Sequence, residues 1–191
     1  FSLPVETNYV TKSVLKELSN LDTPSSMIGV CKMKEPANKI GNRILVLDQI
    51  QDPGNMGTII RSAVAFDVDM ILVSEDSVDI YNSKVIRATQ GLLFHIPIRV
   101  CHLKEKLLEL KEKDYPIYVT KVDGGKDVRN VSLQKKYVLV MGNEGSGVRQ
   151  EMMEIATDYL YIPMNEKCES LNVGVATSIL LFALKDCGYS E

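Results

Sequence analysis

An α/β fold built on a parallel sheet is predicted by three features of this sequence. Short apolar runs, often β-branched, recur at 44–47, 70–73, 96–100, 117–119, 137–141 and 159–162, as strands buried on both faces should. Helix-like stretches near 55–66, 83–93, 103–113, 148–156 and 170–185 lie between and after them. Such alternation implies parallel strands with helices covering both faces of the sheet. Finally, 191 residues suffice for one substantial core, alone or with a small appendage.

The first 38 residues stand apart. Val10 to Leu18 predicts a short helix, 21–26 a loop, and Met27 to Met33 a strand, with 34–38 as a linker. This is too little to bury a core of its own, so residues 1–38 are expected to be the end of an N-terminal domain. The chain opens on Phe1 without a methionine, and an upstream segment is expected. Residues 39–191 form the main domain. There, the run Ile44 to Leu47 leads into a break at Asp52-Pro53-Gly54. A helix follows with Asn55 as its expected N-cap, because an Asn side-chain oxygen accepts a backbone N–H of the first turn. That helix carries Arg61 nearly two turns in. The stretch from Leu103 to Lys113 reads as an amphipathic surface helix with a solvated charged face.

Composition excludes several functions. Hydrophobic residues at 45% and charged residues at 25% are those of a soluble globular protein. No apolar run approaches the roughly 18 residues of a membrane span, and no signal peptide is visible, so no membrane partner is expected. Cys31, Cys101, Cys168 and Cys187 are scattered, and there are 2 histidines. This argues against a metal site and for the reduced thiols of a cytoplasmic protein. A net charge of −3 does not advertise nucleic-acid binding, yet a local basic face can coexist with an acidic total. His95, His102, Lys84, Arg87 and Arg99 read as ordinary surface residues, and Tyr159 and Tyr161 as packing or dimer contacts.

Three segments carry the candidate chemistry. In the first, 47–63, strand, polar turn and helix form either an ordinary connection or a site, since ligands bind at the carboxyl ends of strands in such sheets. In the second, a buried strand ends at Gly142 and continues as Asn143-Glu144-Gly145-Ser146-Gly147. Glycines permit φ > 0 and close backbone approach, so the loop is either a structural turn or a wrapper for a nucleotide-like ligand. It lacks the Lys-Ser/Thr of a phosphate-binding loop, and Glu144 would repel phosphate, so it suits an adenosine group better than ATP. The third segment runs from Ile162-Pro-Met164 to Ser170-Leu171-Asn172. Ser170 is a candidate N-cap, Leu171, Val175, Ile179 and Leu180 form a core stripe, and Asn172 either caps or faces a site.

Together the segments resemble the three motifs of the SpoU (TrmH-like) branch of the SPOUT RNA methyltransferases. They match as Asn55-x-Gly57-x-x-x-Arg61, Gly142-x-Glu144-x-x-Gly147, and Ile162-Pro-Met followed by Ser170-Leu-Asn172-Val. The resemblance covers about residues 43–186, with Gly174 and Thr177 where small Ser or Ala residues are common in the family. It implies a deep trefoil knot near the C-terminus and a homodimer with the site at the subunit interface. It also implies that residues 1–33 end an L30e-like RNA-binding domain. The implied cofactor is S-adenosyl-L-methionine, with contacts near Thr120, Gly142, Ile162 and Leu171 and with Asn143 and Met164 beside them. The implied reaction is methyl transfer to a ribose 2′-hydroxyl of RNA, ribosomal RNA being favoured over tRNA. Arg61 is the implied catalytic residue, with Asn55, Glu144, Ser170 and Asn172 in support. A non-catalytic RNA-binding or assembly factor on the same fold is the competing reading, and retention of the whole motif set argues against it.

Overall fold

A computed structural model describes residues 5–19, 23–33, 40–131 and 135–185. The chain divides into two compact units, 1–35 and 36–191. In the first, α1 (Lys12–Leu18) is capped by Thr11, whose hydroxyl accepts the Val14 N–H, and none of its residues is buried. Residues 27–33 form no strand, contrary to expectation. Met27, Val30 and Met33 are exposed, so this segment has neither a ladder partner nor an apolar face to bury against. The predicted linker at 34–38 lies outside the described residues, as does Cys187.

The second unit contains β1 (Arg43–Leu47), α2 (Pro53–Ala65), β2 (Met70–Val73), α3 (Ser83–Ala88), β3 (Ile98–Val100), α4 (Leu103–Glu112), β4 (Ile117–Thr120), β5 (Lys126–Asp127), β6 (Tyr137–Met141), α5 (Gln150–Met153), β7 (Asp158–Tyr161) and α6 (Val173–Leu184). The sheet has seven strands in the order β3-β2-β1-β6-β4-β7-β5, and every pairing is parallel. All six expected strands are present. The seventh, β5, is two polar residues paired with the end of β7, too short to leave a sequence pattern. The helix expected over 83–93 stops at Ala88. Gln90 and Gly91 both take left-handed backbone conformations, φ 52° and 85°, and Leu92–His95 continues as a 3-10 turn.

Strict alternation along the strands divides two cores. Leu45, Leu47, Ile71, Val73, Leu139 and Met141 pack with Met56, Ile59 and Ile60 of α2 and Leu180, Leu181 and Leu184 of α6. Ile44, Val46, Met70, Leu72, Val138 and Val140 face the other way, onto Leu103, Leu107 and Leu110 of α4 and Met152 of α5. The result is a three-layer sandwich whose central strands are inaccessible from either face. The first three strands step outward from β1 in one direction. The later ones occupy the other side, and β6 inserts between β1 and β4. Strand order therefore reverses beside β1, which is where open α/β sheets place ligand crevices.

Helix starts differ from the expected ones in an informative way. Asp52, not Asn55, caps α2: its carboxylate accepts the Asn55 N–H at 2.7 Å. Pro53 then occupies the first turn, where its fixed φ and missing N–H cost nothing. Likewise Asn172, not Ser170, caps α6, its Oδ1 accepting the N–H groups of Gly174 and Val175. Both shifts leave a polar side chain free for other work.

Close packing around α2 explains two glycines. A Cβ on Gly57 would lie 2.2 Å from Ala88 Cβ and 2.9 Å from the Ala88 carbonyl carbon. Gly174 faces Thr58 in the same manner at 3.1 Å, letting α6 press onto α2, where Ser62 and Ser178 hydroxyls meet at 2.6 Å. Gly57→Ala should therefore destabilise the protein by about 1–3 kcal/mol through overpacking, despite the gain in helix propensity. Gly145→Ala, with nothing nearer than 3.5 Å, should leave stability unchanged. Thermal unfolding followed by circular dichroism checks both.

Candidate functional site

The largest consequence of this topology is a cleft of about 360 Å³ at the carboxyl ends of β4, β6 and β7. Thr120, Gly142, Asn143, Glu144, Ile162, Met164, Ser170 and Leu171 all line it. Thus every predicted cofactor-binding residue reaches one cavity, as do two of the five predicted catalytic residues. Its wall is mostly apolar, with Leu160, Val173, Ala176 and Leu180 behind. That volume and lining are typical of a small-molecule site.

One rim of the cleft is the loop from Gly142 to Gly147. Asn143 and Gly147 exchange backbone hydrogen bonds of 2.9 and 3.0 Å, closing the loop on itself. A Cβ on Gly142 would sit 2.2 Å from the Gly147 carbonyl carbon, and Gly147 has φ +73°, so both positions require glycine. The Asn143 amide is fully occupied as a brace. Its Oδ1 accepts the N–H groups of Gly145 and Ser146, and its Nδ2 donates to the Gln49 carbonyl at 2.8 Å. Asn143 thus shapes the wall through the loop backbone.

Beyond the loop, Arg149 donates its backbone N–H to Asp48 Oδ2 at 2.9 Å and its Nε to Oδ1 at 2.8 Å. Asp48 is completely buried, and its hydrogen bond to Arg149 raises the guanidinium pKa further above its already high value. Gln49 is held between these clamps with φ 59°, its side chain donating to Asp76. Hydrogen bonds from Ser74 and then Gln49 keep the Asp76 carboxyl below its ordinary pKa. Sequence reasoning missed Asp48, Gln49 and Arg149. The sequence shows a carboxylate directly after a buried strand and an arginine two residues past the glycine loop, but not that the two meet.

The three motifs meet in a chain of side-chain hydrogen bonds. Asn172 Nδ2 donates to Asn55 Oδ1 at 2.8 Å, and Asn55 Nδ2 donates to Glu144 Oε1 at 2.9 Å. The direction is dictated by the backbone: Asn172 Oδ1 is taken by two N–H groups of α6, so its NH₂ must face Asn55. Asn55 must then present its own NH₂ to the carboxylate. Arg61 does not join this seam. It is exposed on α2, and it makes no hydrogen bond or ion pair to the described residues. Ser170 reaches the cleft, but its side chain does not cap α6. His102, read as an ordinary surface residue, lies exposed, 3.4 Å from Glu75. Among the described residues, no group of three or more His, Cys, Asp or Glu could hold a metal ion.

Comparison with known proteins places this arrangement. Residues 42–182 match the SpoU rRNA Methylase family, and the chain belongs to that family. It is 33% identical over 176 residues to a Bacillus subtilis protein named 23S rRNA (guanosine(2553)-2'-O)-methyltransferase RlmP, covering 92% of this chain and 71% of that protein. The structure of an AdoMet-bound rRNA methyltransferase from Sinorhizobium meliloti superposes with a TM-score of 0.82 at 30% identity, over 91% of this chain and 69% of that one. The SpoU methyltransferase AviRb from Streptomyces viridochromogenes, in complex with AdoMet, gives 0.70 at 25% identity, over 77% and 61%.

The two roles of Asn172 are separable. Asn172→Ala removes the cap and should cost about 1 kcal/mol. Asn172→Asp keeps an oxygen for the cap but presents no donor to Asn55, so it should melt close to the wild type. In both variants the Asn55 side-chain amide should shift in ¹⁵N–¹H spectra, because its hydrogen-bond partner is gone.

Proposed function

We propose that this chain transfers a methyl group from S-adenosyl-L-methionine to a ribose 2′-hydroxyl of structured RNA, and that the RNA is ribosomal, of the 23S type. The observation that carries the reading is the seam Asn172–Asn55–Glu144, which draws all three family motifs to the mouth of one nucleoside-sized cleft. The relative named for 2'-O-methylation of 23S rRNA supports the substrate class.

The residues present fit the cofactor. The cleft is apolar where an adenosine would lie and carries no phosphate-binding signature, and among the described residues Glu144 is the one carboxylate lining it, compatible with a cationic ligand. Gly142, Ile162 and Leu171 would hold the nucleoside through the loop backbones, with Met164 against it. Thr120 contributes indirectly, since its hydroxyl already donates to the Val140 carbonyl. When bound, S-adenosylmethionine supplies a methyl group already activated by its sulfonium.

The protein's task is then alignment and charge. With the cofactor bound, the 2′-oxygen would take the methyl group from the sulfonium sulfur, which would leave as the neutral thioether, and the hydroxyl proton would pass to solvent water. Arg61 is assigned to the RNA: its guanidinium holds a phosphate and stabilises charge developing on the 2′-oxygen. Asn55 and Glu144 set the rim against which the ribose rests. Ser170 lines the cleft, and Asn172 fixes the start of α6 beside it.

The same reading covers the assembly. Arg61 stands outside its own seam, and Val175 and Ile179, expected in the core, instead lie exposed with Phe182 as an apolar stripe on α6. Both features support a homodimer in which one protomer's Arg61 serves a site at the subunit interface. Insertion of β6 between β1 and β4, with α6 returning onto α2, supports a deep trefoil knot. Residues 1–38 are assigned to the end of an L30e-like RNA-binding domain, 1–33, plus a linker, 34–38. The unpaired thiols of Cys31, Cys101 and Cys168 fit a cytoplasmic protein, and no helix among the described residues is long and apolar enough to cross a membrane.

Tritiated methyl transfer to RNA lacking its natural modifications tests this. Full-length protein should label 23S RNA, and the label should survive alkaline hydrolysis in a resistant dinucleotide. Arg61→Ala should reduce the rate by about 10²–10³-fold with cofactor affinity unchanged. Alkali-labile label, or an undiminished rate in the variant, would contradict the proposal.

A further inference from the structure

Among the described residues, Lys121 is the sole cation lining the cleft. It follows β4 directly, with its backbone N–H tied to the Leu160 carbonyl at 2.9 Å. Its ammonium lies 4.4 Å from the centre of the Tyr159 ring. That ring is itself fixed, because the Tyr159 hydroxyl donates to the Met153 carbonyl at 3.0 Å. No carboxylate among the described residues pairs with Lys121. Asp158, next to Tyr159, is engaged by Lys126, and Glu144 receives the Asn55 amide. Lys121 lines the cleft, and its ammonium, resting on the Tyr159 ring with no counter-charge among the described residues, is preorganised for an anionic group of the ligand.

We propose that Lys121 binds the carboxylate of the amino-acid arm of S-adenosylmethionine, making it a specificity-determining residue of the cofactor site. The inference rests on the cofactor reading above and adds the orientation of the ligand to it. S-adenosylmethionine carries positive charge at its sulfonium and amino group and negative charge at its carboxylate. A cleft lined by one lysine and one glutamate can sort those charges, with the anionic end toward Lys121 and the cationic groups toward the Glu144 rim. Adenosine recognition by loop backbones cannot fix the arm in this way. A phosphate of the RNA is the other anion that could reach the same ammonium, and the experiment separates the two.

Titration calorimetry with S-adenosylmethionine and decarboxylated S-adenosylmethionine, which differ by the carboxylate alone, reads the contact directly. The wild type should bind the decarboxylated compound about tenfold more weakly, as loss of one charge-assisted hydrogen bond predicts. Lys121→Met should bind S-adenosylmethionine about tenfold more weakly and abolish the preference, while Lys121→Arg should restore it. Unchanged melting of Lys121→Met would show that its fold is intact. Equal weakening of both ligands, or an undiminished preference in Lys121→Met, overturns the assignment. A raised KM for RNA with cofactor affinity unchanged would give the lysine to an RNA phosphate instead. Binding of neither compound by the wild type would overturn the cofactor reading as well.

Discussion

Everything at this site depends on one side-chain amide whose orientation is not free. Asn55 accepts from Asn172 and donates to Glu144, and it has no alternative because Asn172 is committed to the N-terminus of α6. A helix cap, worth about 1 kcal/mol to stability, thereby also sets the polarity of a chain spanning three loops. Asn55 lies 89 residues from Glu144 and 117 from Asn172 in sequence, and a parallel sheet brings all three to one edge. The carboxylate at the chain's far end is consequently placed at the cleft mouth through two side-chain amides, the first of them held by the N-terminus of α6.

A second constraint acts beneath the first. The glycine loop is tethered at both ends to residues 48–49: Asn143 clips it to the Gln49 carbonyl, and Arg149 ties its exit to buried Asp48. Gln49 holds a left-handed conformation at φ 59°, a modest strain tolerated because its neighbours over-determine it. Since residues 48–52 lead directly into α2, the wall of the cleft and the helix bearing Asn55 and Arg61 share one anchor. Asp48 without Arg149 would be a buried charge lacking its partner, a costly arrangement, so the clamp is also a structural obligation.

The fold was legible because its strands are β-branched runs buried on both faces, with helices at helical period between them. β5 was not legible, since two polar residues carry no period. The segment 27–33 reads as a strand by composition but lacks the partner that would make it one. At the site, Gly142, Ile162 and Leu171 were visible through the motifs that contain them. The two helix caps were misplaced by two or three residues, and for a common reason. Asn55 and Ser170 have good capping chemistry, but Pro53 moves the start of α2 forward, and Asn172 outcompetes Ser170 at α6. The displaced cap is what frees Asn55 to join the seam. Asp48–Arg149 and Lys121–Tyr159 were illegible because each depends on which strands are neighbours, and insertion of β6 between β1 and β4 is not written in local periodicity.

The central claim is that the seam acts as one unit, and a double-mutant cycle tests it most directly. The kcat/KM for RNA methylation would be measured for Asn55→Ala, Glu144→Ala and the double variant, with folding verified by thermal melts. If the seam is one device, the double variant should be little worse than the more damaging single variant, because either change breaks the same chain. If the two losses simply multiply, Asn55 and Glu144 act independently, and the hydrogen-bonded seam does not organise the site.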